Sequence, residues 1–554
     1  MSRALYASLY GPTVGDRVRL GDTALVVEIE ADDTAAGFEP TVGFGKTVRE
    51  GQLVASTVPP DEAMDVVITN VVVIDAVLGI KKTSIGIRGG RIAAVGRAGN
   101  PDTMADVDVP LSPLTGIVPG EGLIATPGAV DAHVHLLGPQ VAPAALAGGT
   151  TTVVAMGYGG AFDLGIGPSE NFDRLLDAWH AVPLNLVPLA RGSTTQTAAL
   201  DTALRVGAGG LKVHEDVGAH PRVIDAALRA ADEHDVQVAL HLDGLGESAT
   251  LAESLDAIDG RTAHLYHVEG CGGGPVNLLE AVAHEHLLPS STNPTLPYGA
   301  GAVEEHVGMI RTVHRLHPAL ENDARASEAR IRGWTMAAES VLHDRGAISI
   351  TSSDSMGMGR IGEVTRRTWQ LADVMKRADA ETPRHDNERV LRYAAKLSIN
   401  PALTHGIAHE VGSLEPGKRA DIVLWRPAFF GAKPQLVLKS GFAAWGPLGS
   451  GSGSTRIGEP LMHGGYWGAL GGAPAQLSAI FTSAAGAERV SERWPGPVCA
   501  VRGCRTVRKG GLVRNGATPT VEVNPERRAV LIDGEPVTLE PAEHVALNRA
   551  YFLA

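Results

Sequence analysis

Two histidines, His133 and His135, lie one residue apart just after an apolar run at residues 122–130. Side chains two positions apart in a β-strand share a face, so both imidazoles can point at one metal ion. Such a pair is a weak signal alone, because core or surface histidines show the same spacing. Further ligands are needed before it predicts a metal site.

Four more polar residues end apolar segments at intervals that suit a barrel. They are Lys212, His241, His267 and Asp354. Positions 212 and 241 are 29 residues apart, 241 and 267 are 26 apart, and 133 and 212 are 79 apart. One βα unit of a barrel has a similar length, since eight units make about 250 residues. The C-terminal ends of barrel strands meet at one mouth, so we predict that these six side chains form one metal centre.

Lys212 is the unusual member of this set. Four histidines and one aspartate could hold two divalent ions, but two nearby cations repel each other and need an anionic bridge. An ammonium group would add positive charge, whereas carbamylation by carbon dioxide would make Lys212 a carboxylate-like bridge. We predict this modification, N6-carboxylysine, when metal is bound; the alternative is a lysine in a salt bridge at the barrel mouth. Zinc, iron, manganese and nickel all suit such nitrogen and oxygen ligands.

The elements that must position these residues follow an α/β pattern between two β-rich stretches. Short β-branched runs around a Gly89-Gly90 turn predict a small β domain, and alternating strands and helices after it predict a parallel sheet or barrel. The predicted domains are 1–127 (β-rich), 128–411 (barrel), 412–475 (return of the chain to the β domain) and 476–554 (C-terminal segment). The 87 residues from 267 to 354 span only two units, so they must contain an insertion.

Composition excludes several classes of function. The formal charge is −14, from 48 basic and 62 acidic side chains, and no basic stripe is present, which argues against nucleic-acid binding. The three cysteines, Cys271, Cys499 and Cys504, are too few for a disulfide framework and favour a reducing compartment. Neither a signal peptide nor a membrane-spanning segment is apparent. We therefore expect a cytoplasmic protein that does not bind membranes.

Four runs around these residues resemble the large (α) subunit of urease. They are Gly210–Asp216, Arg261–Gly270, Leu288–Tyr298 and Thr351–Ser355. The similarity extends from residues 10–16 through 400–410 to 551–553, so it covers essentially the whole chain. It implies a (β/α)8 TIM barrel with a composite β-rich domain, built from the N-terminal and post-barrel segments. It also implies two nickel ions and hydrolysis of urea to ammonia and carbamate.

The resemblance assigns a role to each matching position. It implies that one ion is held by His133, His135 and Asp354, the other by His241 and His267, and that Lys212 bridges them. His214 resembles the residue that donates a hydrogen bond to the urea carbonyl. A flap at about 299–332 would carry His314, the proton donor to the leaving amine. Asp216 would orient His314, and Arg330 would lie near them.

Several positions around the substrate depart from the family pattern. Val313 replaces the flap cysteine, Arg315 and Pro275 stand where histidines are usual, Val217 replaces a tryptophan, and the loop at 155–169 is shortened. Two alternatives therefore stay open: a related amidohydrolase acting on another amide or a cyclic ureide, and a non-catalytic, urease-like assembly subunit. A lost metal ligand would mark the second alternative, and none is lost.

The resemblance also implies partners. The chain begins directly with large-subunit sequence and contains no fused small-subunit segment, so we expect separate small β and γ subunits. Nickel insertion would require accessory proteins. The expected assembly is a higher-order, trimer-based oligomer.

Overall fold

A barrel of eight parallel strands forms the centre of the molecule. The structure is a computed structural model that describes residues 1–34, 39–40, 53–157, 166, 169–244, 249–272, 274–379, 383–449 and 462–548. The barrel strands are β1 (Ala129–His135), β2 (Thr150–Met156), β3 (Asn185–Arg191), β4 (Gly210–His214), β5 (Gln237–His241), β6 (Ala263–Leu265), β7 (Leu287–Thr292) and β8 (Ile350–Ser352). The predicted α/β barrel is confirmed.

Each strand pairs in parallel with its neighbour in the sequence, from β1 to β8. The last strand returns to the first through a parallel bridge between Val134 and Ser355, where the His135 N–H donates to the Ser355 carbonyl at 3.0 Å. Three units separate β1 from β4, and two separate β6 from β8, as the sequence intervals predict. Strand order alone therefore brings the ends of all eight strands to one mouth.

Helices cover the outside of the barrel. They are Val141–Ala147, Ser169–Trp179, Thr197–Val206, Pro221–His234, Leu251–Ile258, Gly333–Asp344, Val364–Ala378, Asn387–Leu397 and Ile399–Thr404. The helix Pro221–His234 illustrates the pattern, with Pro221 in its first turn and Ile224, Leu228 and Ala231 buried against the strands. Because these residues recur every three or four positions, they form one apolar stripe that faces the core.

A ten-stranded sheet combines segments from both sides of the barrel. Its strands are Ala31–Asp32, Val66–Asp75, Gly79–Arg88, Arg91–Gly96, Gly116–Pro119, Ile124–Pro127, Ile422–Trp425, Leu436–Lys439, Phe442–Leu448 and Met462–Gly465. Ile124–Pro127 pairs with Ile422–Trp425 on one side and with Val66–Asp75 on the other. The composite nature of this sheet and the tight turn at Gly89-Gly90 are as predicted. The domain boundaries themselves stay predictions.

The remaining elements are short. They are the helices Arg3–Tyr10, Ala473–Leu477 and Ala487–Ser491 and the strands Arg17–Arg19, Val26–Glu28, Ala98–Gly99, Val109–Pro110, Ile480–Thr482, Val498–Ala500, Val521–Asn524, Ala529–Ile532 and Glu535–Pro536. The strand Ile480–Thr482 extends the barrel sheet beside β3. In the described ranges, no helix combines the length and apolarity needed to cross a membrane.

The insertion predicted between β6 and β8 follows β7 and contains two helices, Ala302–Val313 and Glu321–Arg330. We call residues 299–332 the flap. The flap packs on a small apolar group that is separate from the barrel core, and we call it the flap cluster: Cys271, Ala302, Ile310, Ile331, Met336 and Met358. In the shortened loop at 155–169, residues 158–165 and 167–168 lie outside the described residues.

Candidate metal centre

The six residues predicted to bind metal lie together at the barrel mouth. Each belongs to a strand or follows its last residue by two positions, and each is at most 4% exposed; they are His133, His135, Lys212, His241, His267 and Asp354. The ring centroid of His267 lies 5.1 Å from that of His133 and 4.8 Å from that of His241. The structure therefore brings together all six side chains.

Asp354 is the carboxylate at the centre of the histidines. Its Oδ1 lies 2.8 Å from His135 Nε2 and 3.3 Å from His133 Nε2, and its Oδ2 lies 3.8 Å from His267 Nε2. Asp354 and His267 both adopt positive φ angles just after strands end, which turns their side chains inward. Gly357 follows in the same turn, where an added Cβ would overlap the Asp354 carboxylate.

The protonation states of these groups suit a divalent cation. Burial lowers the pKa of His133 well below its ordinary value, and the charge of Lys212 lowers it further. Burial also lowers the pKa of His267 to about 4, against the opposing charge of Asp354. Burial works to raise the pKa of Asp354, but its hydrogen bond with His135 and the nearby histidines keep it below the ordinary value. The site thus offers neutral imidazoles and an ionised carboxylate.

The geometry of the donor atoms also fits a metal ion. One ligand atom each from His133, His267 and Asp354 lies within 4.8 Å of the other two. Neither ring nitrogen of His133 makes a hydrogen bond to a described residue, although the ring is buried. Buried polar atoms without a hydrogen bond are rare in proteins, and metal coordination would use this one. Lys212 lies beside these ligands, with Nζ 3.9 Å from the centroid of the Tyr266 ring.

The residues predicted to act on the substrate line the opposite side of the mouth. His314 ends the first flap helix, and its Nδ1 lies 3.5 Å from Asp216 Oδ1. The hydrogen bond with His314 is the main reason that the pKa of Asp216 lies below its ordinary value. His214 Nδ1 accepts a hydrogen bond from the Asp216 backbone N–H at 3.0 Å, so a neutral His214 carries its proton on Nε2. That atom can serve as a hydrogen-bond donor.

A cavity of about 1300 Å³ separates the flap from the strand ends. His314, Asp216 and Arg330 line this cavity, and so do the departing residues; among these are Val217, Val313 and Arg315. Pro275, in contrast, is not among the residues that line the cavity. The departures from the family pattern that matter for substrate are therefore those on the flap and after β4.

Three residues that the sequence pattern did not single out contact the centre. Glu215 Oε1 lies 3.4 Å from His241 Nε2, and the ring of Tyr266 stacks on that of His133 at 3.8 Å between centroids. Glu269 Oε1 lies 3.9 Å from His267 Nδ1, and burial raises the pKa of Glu269 to about 7. All three stand within two residues of a site residue in sequence, and that adjacency was the available signal.

Comparison with known proteins covers the full length of the chain. Residues 1–118 match the family model described as the urease alpha-subunit, N-terminal domain, and residues 124–455 match that of the amidohydrolase family. Urease subunit alpha 1 of Streptomyces avermitilis is 52% identical, with 100% of each chain aligned. Urease subunit alpha 2 of Streptomyces coelicolor is also 52% identical, over 99% of each chain. Urease subunit alpha of Natronomonas pharaonis is 46% identical, over 100% of this chain and 99% of its own.

Proposed function

Because this chain belongs to the urease alpha-subunit family of amidohydrolases, we propose that it is the catalytic subunit of a urease. The reaction is hydrolysis of a linear amide C–N bond, in which urea gives ammonia and carbamate. The observation that carries the proposal is the convergence of four buried histidines, a lysine and an ionised aspartate at one barrel mouth.

The proposed cofactors are two nickel ions and a carbamate on Lys212 derived from carbon dioxide. One ion would be held by His133, His135 and Asp354, the other by His241 and His267, with carbamylated Lys212 between them. When bound, such ions polarise a carbonyl oxygen and lower the pKa of water. The neutral histidines and the ionised Asp354 are the protonation states that this role requires.

The other side chains handle the substrate's carbonyl and its leaving amine. His214 Nε2 donates a hydrogen bond to the urea carbonyl oxygen, because its Nδ1 is occupied by the Asp216 N–H. Protonated His314 gives its proton to the leaving nitrogen, and the Asp216 carboxylate orients the imidazole and stabilises its charge. Both roles require the flap to close over the substrate, which also excludes water.

The proposed partners are small β and γ subunits and nickel-insertion accessory proteins. The curated relatives are named as subunits, which supports an assembly for this chain as well. We propose a trimer-based oligomer in the cytoplasm, consistent with three free cysteines, two of them buried.

The test measures metal content and ammonia release from urea on the chain co-expressed with its neighbouring genes. His133→Ala should lose both metal and ammonia release, whereas His544→Ala, which changes an exposed histidine remote in sequence from the site, should retain both. Wild-type protein that binds two nickel ions per chain and releases no ammonia would disprove the proposal. Well under one ion per chain would instead favour the non-catalytic assembly subunit.

The cavity favours one second candidate. Its volume of about 1300 Å³ greatly exceeds what urea fills, and the valines at 217 and 313 add apolar surface to its wall. These features suit a larger amide or a cyclic ureide. Michaelis kinetics on urea and on hydantoins, each with nickel and with zinc, separate the candidates, because the true substrate must give the higher kcat/KM.

A further inference from the structure

Arg330 ties the flap to the barrel at the end of the second flap helix. Its side chain is only 4% exposed. Its Nη2 donates to Glu215 Oε1 in a close ion pair and to the Gly272 carbonyl oxygen at 3.0 Å. Neither acceptor belongs to the flap, so this guanidinium is a charged anchor at the root of the flap.

Both acceptors of Arg330 also touch the metal centre. Glu215 Oε1, the oxygen that accepts from Arg330, lies 3.4 Å from His241 Nε2. Gly272 packs against the imidazole of His267 so closely that an added Cβ would overlap it. The two residues proposed to hold the second ion are therefore the ones nearest to the flap anchor.

This arrangement creates an electrostatic problem. A buried guanidinium beside divalent cations is repelled strongly, because the interior screens charge poorly. The charge of Arg330 already reaches the centre, where it contributes to the lowered pKa of His267. Glu215 is the acidic side chain that pairs with Arg330 among the described residues, and its other oxygen accepts from the Gly244 N–H. Burial works to raise the pKa of Glu215, but Arg330 outweighs it and keeps the carboxylate ionised.

We propose that Glu215 is a positioning residue that compensates the charge of Arg330, and that it thereby keeps the flap root in place when cations occupy the centre. Glu215 acts through Arg330 and does not touch the substrate. The inference rests on the proposed function only in requiring that His241 and His267 bind a divalent cation. It predicts that loss of the Glu215 charge matters for the flap only after metal is bound.

Hydrogen–deuterium exchange of flap peptides covering residues 321–332 tests this prediction. The full chain, with the subunits that co-purify, is compared without metal and with nickel at matched metal content. In the wild type, nickel should leave the exchange rate unchanged or lower it. Glu215→Gln keeps the size and hydrogen-bonding capacity of the side chain but removes its charge. Its flap should match the wild type without metal and exchange faster with nickel by about 5-fold or more, the lower range of coupling between two sites.

Three further variants separate charge from other effects. Glu328→Gln removes an exposed flap carboxylate that pairs with Arg311, and it should show no change with nickel. Glu215→Asp keeps the charge and should stay protected. The double variant Glu215→Gln with Arg330→Gln removes the repelled charge, so the effect of nickel should disappear.

Two results would overturn the proposal. One is a nickel-loaded Glu215→Gln protein whose flap exchanges no faster than without metal, and the other is equal loosening in Glu215→Asp. If Glu215→Gln takes up no nickel, the double variant must regain uptake, and a double variant that stays metal-free overturns the proposal as well. Wild-type ammonia release is measured in parallel. A urease without the nickel-dependent change refutes this inference alone, whereas the change without ammonia release refutes the proposed function alone.

Discussion

The two walls of the cavity are built in different ways. On the barrel wall, the metal-site side chains sit on or just after strands that are hydrogen-bonded on both sides, so the sheet register fixes their positions. On the flap wall, His314 ends a helix of an insertion that rests on the flap cluster and a few polar contacts. The side chain of His133 is 1% exposed, whereas that of His314 is 16% exposed.

This difference separates two requirements of the proposed reaction. Metal ligands must hold their geometry at all times, and a barrel mouth provides that because each strand is packed on both faces. A proton donor over a small substrate must let the substrate in and then approach it, and an insertion with its own small apolar cluster can move without disturbing the barrel. The barrel wall is therefore expected to govern metal binding, and the flap wall to govern turnover.

Lys212→Ala gives the strongest test of the barrel wall. Losing the proposed bridge should remove metal, and ammonia release should fall by at least about 10⁴-fold, since enzymes owe at least about 10⁶-fold of acceleration to their active sites. Metal analysis and ammonia release are the measurements. Full turnover without an added carboxylic acid would exclude Lys212 as the bridge.

His314→Ala is the matching test of the flap wall. The kcat for urea should fall by about 10²–10⁴-fold, the usual contribution of a general acid, while metal content stays at the wild-type level. The comparison of the two walls fails if this variant loses its metal, because His314 would then belong to the binding site. Metal analysis and steady-state kinetics on the same sample decide the matter.

Thr292→Val sharpens the comparison within the barrel wall. Thr292 Oγ1 lies 3.2 Å from His267 Nδ1 and helps to orient that imidazole. Partners of metal-binding histidines typically contribute about 10–100-fold to metal affinity or activity. Nickel affinity should fall by that factor, as measured by competition with a chelator. Thr312→Val changes a flap threonine that bonds only within its own helix, and it should leave nickel affinity unchanged.

The sequence predicted the barrel wall better than the flap wall, for a physical reason. Strand spacing follows from the size of the βα unit, so the intervals between His133, Lys212, His241 and His267 by themselves imply one mouth. His314 has no such periodic signal, and only the family resemblance indicated its position. Its partner Asp216 lies 98 residues earlier in the chain, a contact that local patterns do not encode.

The residues around the ligands were harder to predict than the ligands. Glu215 stands in the run Gly210–Asp216, but its role depends on the position of Arg330, which is 115 residues away. Tyr266 reads as a core aromatic from its place in the apolar pattern, and only the fold brings its ring onto His133. Side-chain direction at strand ends depends on turns such as the positive φ of His267, which residue type does not fix.

The smallest effect on the whole molecule is expected from a cavity in the flap cluster. Ile310 in the flap and Ile224 in a barrel helix are both fully buried isoleucines. Truncation of a buried isoleucine to alanine typically costs about 2–5 kcal/mol wherever the site unfolds. Ile224→Ala should therefore lower the guanidinium chloride midpoint of the whole protein. Ile310→Ala should leave that midpoint nearly unchanged and should instead speed hydrogen exchange in flap peptides.

The outcome distinguishes a flap that opens by itself from one that unfolds with the barrel. Local opening exposes only the flap cluster, so the lost contacts reduce the free energy of that opening and not of global unfolding. Equal midpoint shifts for the two variants would show that the flap and barrel form one cooperative unit. His314 would then approach the substrate without opening of the flap cluster, and the contrast between a fixed wall and a moving wall would not hold.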